Sequence, residues 1–164
     1  MLHIQFALEL ETLISNQLVK LSKTGADETM AVIELIRQSQ TEFTQLLTLV
    51  KTIDIDSVPY PGVSENQLLG SDTAWQQVTR SVAAAGISFE GLGVYWSLYT
   101  AIDKAAQFYQ QAAVNSAHPQ SRLFFSSLSQ VKKILRRRLD GIIHIYYNHF
   151  WGELGFAPFI LGKD

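Results

Sequence analysis

The chain has no cysteine among its 164 residues, and that absence removes several kinds of chemistry at once. Without thiols there is no disulfide, no thiolate zinc site, no iron–sulfur cluster and no cysteine nucleophile. Proline is scarce too, at 4 residues, so long stretches are free of helix breakers. Neither sign of charge dominates: 13 Lys and Arg stand against 15 Asp and Glu, a net −2 that draws the chain to neither nucleic acid nor anionic membrane. No uncharged apolar run approaches the roughly 18 residues of a membrane span. The nearest, IIHIYYNHFW, is short and carries His144 and His149. The leading segment MLHIQFALELETL has no basic stretch ahead of an apolar one, so no secretory signal is expected, and the cytoplasm follows by elimination. No Gly-x-Ser-x-Gly elbow occurs, and Gly91-Leu92-Gly93 is too short for a phosphate loop.

What is present is a single domain's worth of helix. A hydrophobic fraction of 47% with 17% charge describes a globular chain long enough to bury a substantial core. Ile4, Leu8, Ile14, Leu18 and Leu21 fall at helical spacing, interrupted by Glu11, with Gly25 as a stop. A second stripe runs Met30, Ile33, Ile36, Phe43, Leu46, Leu47 and Val50, with Asp27 as its expected cap. The short link predicts an antiparallel hairpin over about 2–53. Residues 54–88 hold Pro59, Pro61, Gly62, Gly70 and Gly86 and read as a long crossover. A short helix is expected there over Asp72–Ala85, capped by Asp72, with Trp75, Val78 and Val82 on one face. A second hairpin follows over about 89–151. Its first helix should bury Leu92, Trp96, Tyr99, Ala106 and Tyr109. Its second should run from Gln120 to about Trp151, with Pro119 suited to the first helical position, and bury Phe124, Leu128, Val131, Leu135, Leu139, Ile142, Tyr146 and Phe150, with Gly141 as a break or bend. The apolar tail over 152–164 should fold back over the bundle end.

Within the second hairpin, AIDKAAQFYQQAAVNSAHPQSRLFFSSLSQVKKILRRRL over 101–139 resembles the corresponding hairpin of rubrerythrin-like, ferritin-like proteins. The resemblance implies an all-α, ferritin-like four-helix bundle of two antiparallel hairpins joined by the long crossover. It also implies where a di-iron centre's ligands would stand. The family carries a carboxylate seven residues before the Tyr of a Phe-Tyr pair, then Glu-x-x-His on the next helix. Here the pair is Phe108-Tyr109, the carboxylate place holds Ile102, and the Glu-x-x-His place holds Lys132 and Leu135. In the first hairpin Glu11 is the one position where a family ligand survives, and its partner helix offers Gln38, Thr41 and Glu42. No Glu anywhere is followed by His three positions later. The missing cysteines also exclude the rubredoxin-type iron centre that rubrerythrins carry beside the bundle. Glu11, Glu42 and Asp103 are too few to balance and enclose two irons.

Several constellations have two readings. Lys132 could place its ammonium in the bundle interior, replacing metal charge and pairing with Glu11 or Asp103. The preferred reading turns Val131 inward and sends Lys132 to solvent, because charges are seldom fully buried. Asp140 and His144 share a helix face and could give two metal ligands. With no third ligand, since His149 lies about 140° further round, an Asp–His hydrogen bond is the simpler reading. Lys132, Lys133, Arg136, Arg137 and Arg138 form a basic run, read as a solvated face pairing with Glu9, Glu34 or Glu42 rather than an anion site. Tyr95, Trp96, Tyr99 and Tyr109 are candidates for a cavity or an interface, with core packing the commoner use.

Three functions compete at this stage. The first is a non-catalytic bundle working through self-association, as a homodimer, or through a protein partner, with no cofactor. The second is a metal-dependent, di-iron type oxidoreductase or peroxidase with a relocated site, which would need iron. The third is a binder of a small apolar ligand.

Overall fold

The computed structural model describes residues 2–57, 62–84 and 86–153. Among these the chain is all helical, with no strand. Four long helices, α1 (Leu2–Thr24), α2 (Met30–Thr52), α5 (Phe89–Asn115) and α6 (Pro119–Glu153), are accompanied by two short ones, α3 (Glu65–Leu69) and α4 (Asp72–Ala84).

Side-chain contacts fix the helix directions. Along α1, His3 meets Phe125, Phe6 meets Phe108, Glu11 meets Tyr109 and Gln17 meets Ser97. Phe125 lies on α6; on α5 the partners of Phe6 and Glu11 are Phe108 and Tyr109 and that of Gln17 is Ser97, so the later part of α1 lies toward the start of α5 and the two run antiparallel. Since α2 is also antiparallel to α1, α2 and α5 point the same way. The crossover must therefore travel the length of the molecule, from the end of α2 back to the level of its start, where Glu28 bonds Ser88 at 2.6 Å. That requirement, not slack, explains its length.

The crossover is tied down along its course. α3 starts on Ser64, whose hydroxyl accepts the Gln67 amide, and ends at Gly70, where a φ of 79° turns the chain as a side-chain-bearing residue would resist. The Trp75 indole, buried beneath α4, donates to the Leu69 carbonyl at 2.6 Å. Arg138 of α6 reaches out to Asp72 at 2.6 Å and lies over the Trp75 ring. Both short helices pack on α2 and α6. A single core joins Ile4, Ile14 and Leu18 of α1 to Ile36, Phe43 and Leu47 of α2, Leu98 and Ile102 of α5, and Leu128, Leu135 and Leu139 of α6.

Several expectations need correction. Ser71, not Asp72, caps α4, its hydroxyl accepting from Ala74 N–H at 3.2 Å. Asp27 caps nothing: it opens a short 3-10 turn (Asp27–Thr29) that leads into α2 with no side-chain cap. Among its described residues the crossover holds two helices rather than one. Gly141 leaves α6 unbroken, because it lies on the outer face and the 35-residue helix is held by packing along its whole inner stripe. At about 1.5 Å per residue α6 spans roughly 50 Å. The inner face of α5 is rotated from that expected: Tyr95 and Leu98 are buried, Trp96 is exposed, and Leu92 and Tyr99 are half-buried. Met30 is exposed too. The Pro59–Pro61 turn, Ala85 and the fold-back of the tail beyond Glu153 lie outside the described residues.

Candidate functional site

Each long helix places one polar side chain at the same level of the core, and the four meet. Glu11 of α1, Gln40 of α2, Tyr109 of α5 and Lys132 of α6 are all buried, with Glu11, Tyr109 and Lys132 fully shielded from solvent. The Lys132 ammonium donates to Glu11 Oε2 at 2.9 Å and to Gln40 Oε1 at 2.9 Å. Its remaining direction is taken by the Phe43 ring, whose centroid lies 3.9 Å from Nζ. Glu11 Oε2 also accepts from Gln40 Nε2 at 2.6 Å, and Glu11 Oε1 accepts from the Tyr109 hydroxyl at 2.6 Å. Gln40 Nε2 reaches the Glu11 main-chain carbonyl as well, at 3.2 Å.

The polarity of every contact fits a carboxylate facing an ammonium. Glu11 only accepts, Lys132 only donates, and the Gln40 amide bridges them by doing both. Nothing in the cluster is left unpaired, which is the condition under which buried charge is tolerated. Burial pulls the Lys132 ammonium below the ordinary lysine range, and the adjacent Glu11 carboxylate opposes that pull. Burial pushes the Tyr109 phenol well above the ordinary tyrosine range, reinforced by the charge of Glu11 and by the hydrogen bond to it. Tyr109 is therefore a fixed donor, not an acid.

The preferred outward reading of Lys132 is thus overturned. At this level α6 turns both Val131 and Lys132 inward, and the paired carboxylate offsets the desolvation that made burial look unfavourable. Asp103 is not the partner: it faces Arg136 of α6 at the edge of the bundle and also accepts from Gln107. Glu42 is half-buried on the side of α2 facing α3, and accepts from Gln67 at 3.3 Å. Ile102 and Leu135 are buried apolar residues in the same core. Sequence reasoning missed Gln40. Its signal was a gap in the α2 stripe, since Gln40 falls four residues after Ile36 and three before Phe43.

The other constellations disperse. Asp140 and His144 lie 3.8 Å apart on the partly exposed side of α6, while His149 pairs with Glu153 at 3.0 Å. Among the described residues no group of three or more carboxylates and imidazoles is arranged to hold a metal ion. The basic run splits five ways. Lys132 is internal, Lys133 bonds Gln110, Arg136 bonds Asp103, Arg138 bonds Asp72 and Arg137 is exposed. None of these pairings is the Glu9, Glu34 or Glu42 expected, because α6 runs beside α5 and the crossover.

The aromatics of α5 divide likewise. Tyr95 packs against Tyr146 at 5.3 Å and Tyr109 against Phe125 at 6.4 Å, both in the core. Trp96 donates to the Tyr147 hydroxyl at 3.0 Å and forms, with Leu10 and Leu13, part of a groove between α1 and α5. Tyr99 packs edge-on against Trp96. A second polar group closes the far end of the bundle. There Glu28 accepts from Ser88 at 2.6 Å and from Tyr146 at 3.4 Å, beside the buried Tyr95 hydroxyl, which faces that of Tyr146.

The chain matches no protein-family model, no curated protein and no solved structure.

Proposed function

We propose that this chain is a ferritin-like bundle in which a salt bridge has taken the place of a di-iron centre, and that it works by association rather than by metal chemistry. The observation that carries the reading is the meeting of Glu11, Gln40, Tyr109 and Lys132, one from each long helix. The antiparallel hairpins, the parallel α2 and α5 and the long crossover support the ferritin-like arrangement. Glu11 is the position where the resemblance leaves a family ligand, and Lys132 stands where it expects a carboxylate.

The residues at that centre do not suit two irons. One carboxylate is far short of the set of carboxylates and imidazoles that such a centre needs. An ammonium donating to that carboxylate adds the positive charge a metal would bring and uses the oxygens a metal would need. Ile102 and Leu135 offer no donor atoms.

Association is supported by the outer face of α1. Phe6 is 52% exposed and Leu13 66%, and Leu13 lines the groove that Trp96 borders on α5. Phe6, Leu10, Leu13 and Gln17 follow a four–three–four spacing, a second seam along the edge of α1 that borders α5, where Phe6 meets Phe108 and Gln17 bonds Ser97. A homodimer through this seam is the form expected. Sedimentation equilibrium should give a dimer that Leu13→Asp converts to monomer with unchanged helix content. Protein incubated with ferrous iron and desalted should carry no iron above background. A monomeric wild type, or about two irons per chain, would defeat the proposal, and the second outcome would restore an oxidoreductase.

A further inference from the structure

The outermost line of α1 joins exposed apolar surface to charge that its own chain does not use. Leu2, Phe6, Glu9, Leu13, Asn16 and Lys20 follow a four–three–four–three–four spacing, the repeat of a helix that packs along another helix. All six are exposed, Leu2 by as much as 79%. Phe6 and Leu13 belong both to this line and to the seam beside α5. Glu9 and Lys20 enter none of the ion pairs among the described residues. With Glu11 turned inward, the exposed charge of α1 runs from acid at Glu9 to base at Lys20 and Lys23. That order makes the line complementary to itself in one direction only. Parallel copies would set Glu9 on Glu9 and Lys20 on Lys20, whereas antiparallel copies bring opposite signs together. Pairing about a point between Ile14 and Ser15 sets Glu9 against the partner's Lys20, and by symmetry Lys20 against the partner's Glu9. It also sets Phe6 against the partner's Lys23, whose stem and ammonium suit an aromatic face. The register seven residues away would place Glu9 on the partner's Leu13 and Lys20 on the partner's Leu2, each charge against an apolar side chain.

We infer that two copies of this chain pair through α1 in antiparallel orientation, with the Leu13 side chains beside the two-fold axis and two reciprocal Glu9–Lys20 ion pairs fixing direction and register. The inference rests on the association proposed above and adds to it the surface and the orientation. The test is sedimentation equilibrium of the full chain at low salt, where exposed charges are least screened. Glu9→Lys and Lys20→Glu each turn an attraction into a repulsion, twice per dimer by symmetry, and each should raise the dissociation constant about tenfold. The double variant Glu9→Lys with Lys20→Glu restores opposite signs in exchanged places and should return the constant to near the wild-type value. Helix content by circular dichroism should be the same in all four proteins, because both positions are exposed. A wild-type dimer that either single reversal leaves unchanged, or a double variant no tighter than the singles, overturns the antiparallel pairing while association stands. A wild-type monomer removes both.

Discussion

Replacing Lys132 with Met removes a charge while keeping a long side chain in the core, and the cost follows from what remains. Glu11 keeps Tyr109 and the Gln40 amide as donors but loses its counter-ion in a site sealed from water. Breaking one side of a buried pair typically costs about 3–5 kcal/mol. The two surviving donors place Lys132→Met at the lower end, about 3 kcal/mol. For a urea slope of about 2 kcal/mol/M, the unfolding midpoint should fall by about 1.5 M, read by circular dichroism at neutral pH. Glu11→Gln strands the ammonium and should cost about as much. The double variant holds neither charge, and the amide at position 11 can still bond Tyr109 and Gln40, so it should cost about as much as either single change rather than their sum. A coupling of about 2–3 kcal/mol between the two positions is expected. Additive single effects, or a Lys132→Met cost under about 0.5 kcal/mol, as for an exposed surface substitution, would refute the reasoning.

Three further outcomes follow from the packing. Burial holds the phenols of Tyr95, Tyr109 and Tyr146 above the ordinary tyrosine range, so the unfolded chain surrenders those protons first. Their contribution to stability is present below pH about 10 and is lost as the pH rises beyond it, so phenolate absorbance from these three should appear together with loss of helix rather than before it. Gly91→Ala would set a methyl 2.5 Å from a Glu28 carboxylate oxygen and 2.7 Å from the Tyr146 hydroxyl. Glu28 can swing away at the loss of its Ser88 bond, whereas Tyr146 is locked in the core, so a destabilisation of about 1–3 kcal/mol is expected by thermal unfolding, part of it relieved by Tyr146→Phe. Trp75→Phe should cost about 1–3 kcal/mol in urea unfolding, because it leaves the Leu69 carbonyl without its indole donor and thins the contact with Arg138.

The four long helices were legible because their apolar spacing is strong and proline and glycine punctuate the joints. Caps were less so: Ser71 precedes Asp72, either could cap, and only the backbone turn decides. The rotation of α5 was misjudged because Tyr95 and Trp96 are adjacent and both aromatic. Trp96 finds a partner in Tyr147 at the surface, which sequence order cannot foretell. The cluster was half legible. Glu11 stood out as a charge within an apolar stripe, and Lys132 lay beside one. Each alone looks costly in a core, and rules applied to one residue at a time send it to solvent. What reverses the outcome is the registration of four helices at one level, a property of the assembled bundle. Gln40 was passed over for the same reason, since the gap it leaves in the α2 stripe becomes informative only once its neighbours are known.

The most direct test of the salt-bridged centre is to observe the Lys132 ammonium itself. In ¹⁵N-lysine-labelled protein at neutral pH, a fully buried ammonium bonded to Glu11 and Gln40 should give a sharp side-chain resonance in slow exchange with water, with magnetisation transfer to Phe43 and loss of the signal in Lys132→Met. On raising the pH it should titrate below the ordinary lysine range. A Lys132 resonance that exchanges as fast as those of exposed lysines such as Lys51, and titrates with them, would contradict a buried pair at the centre of the bundle.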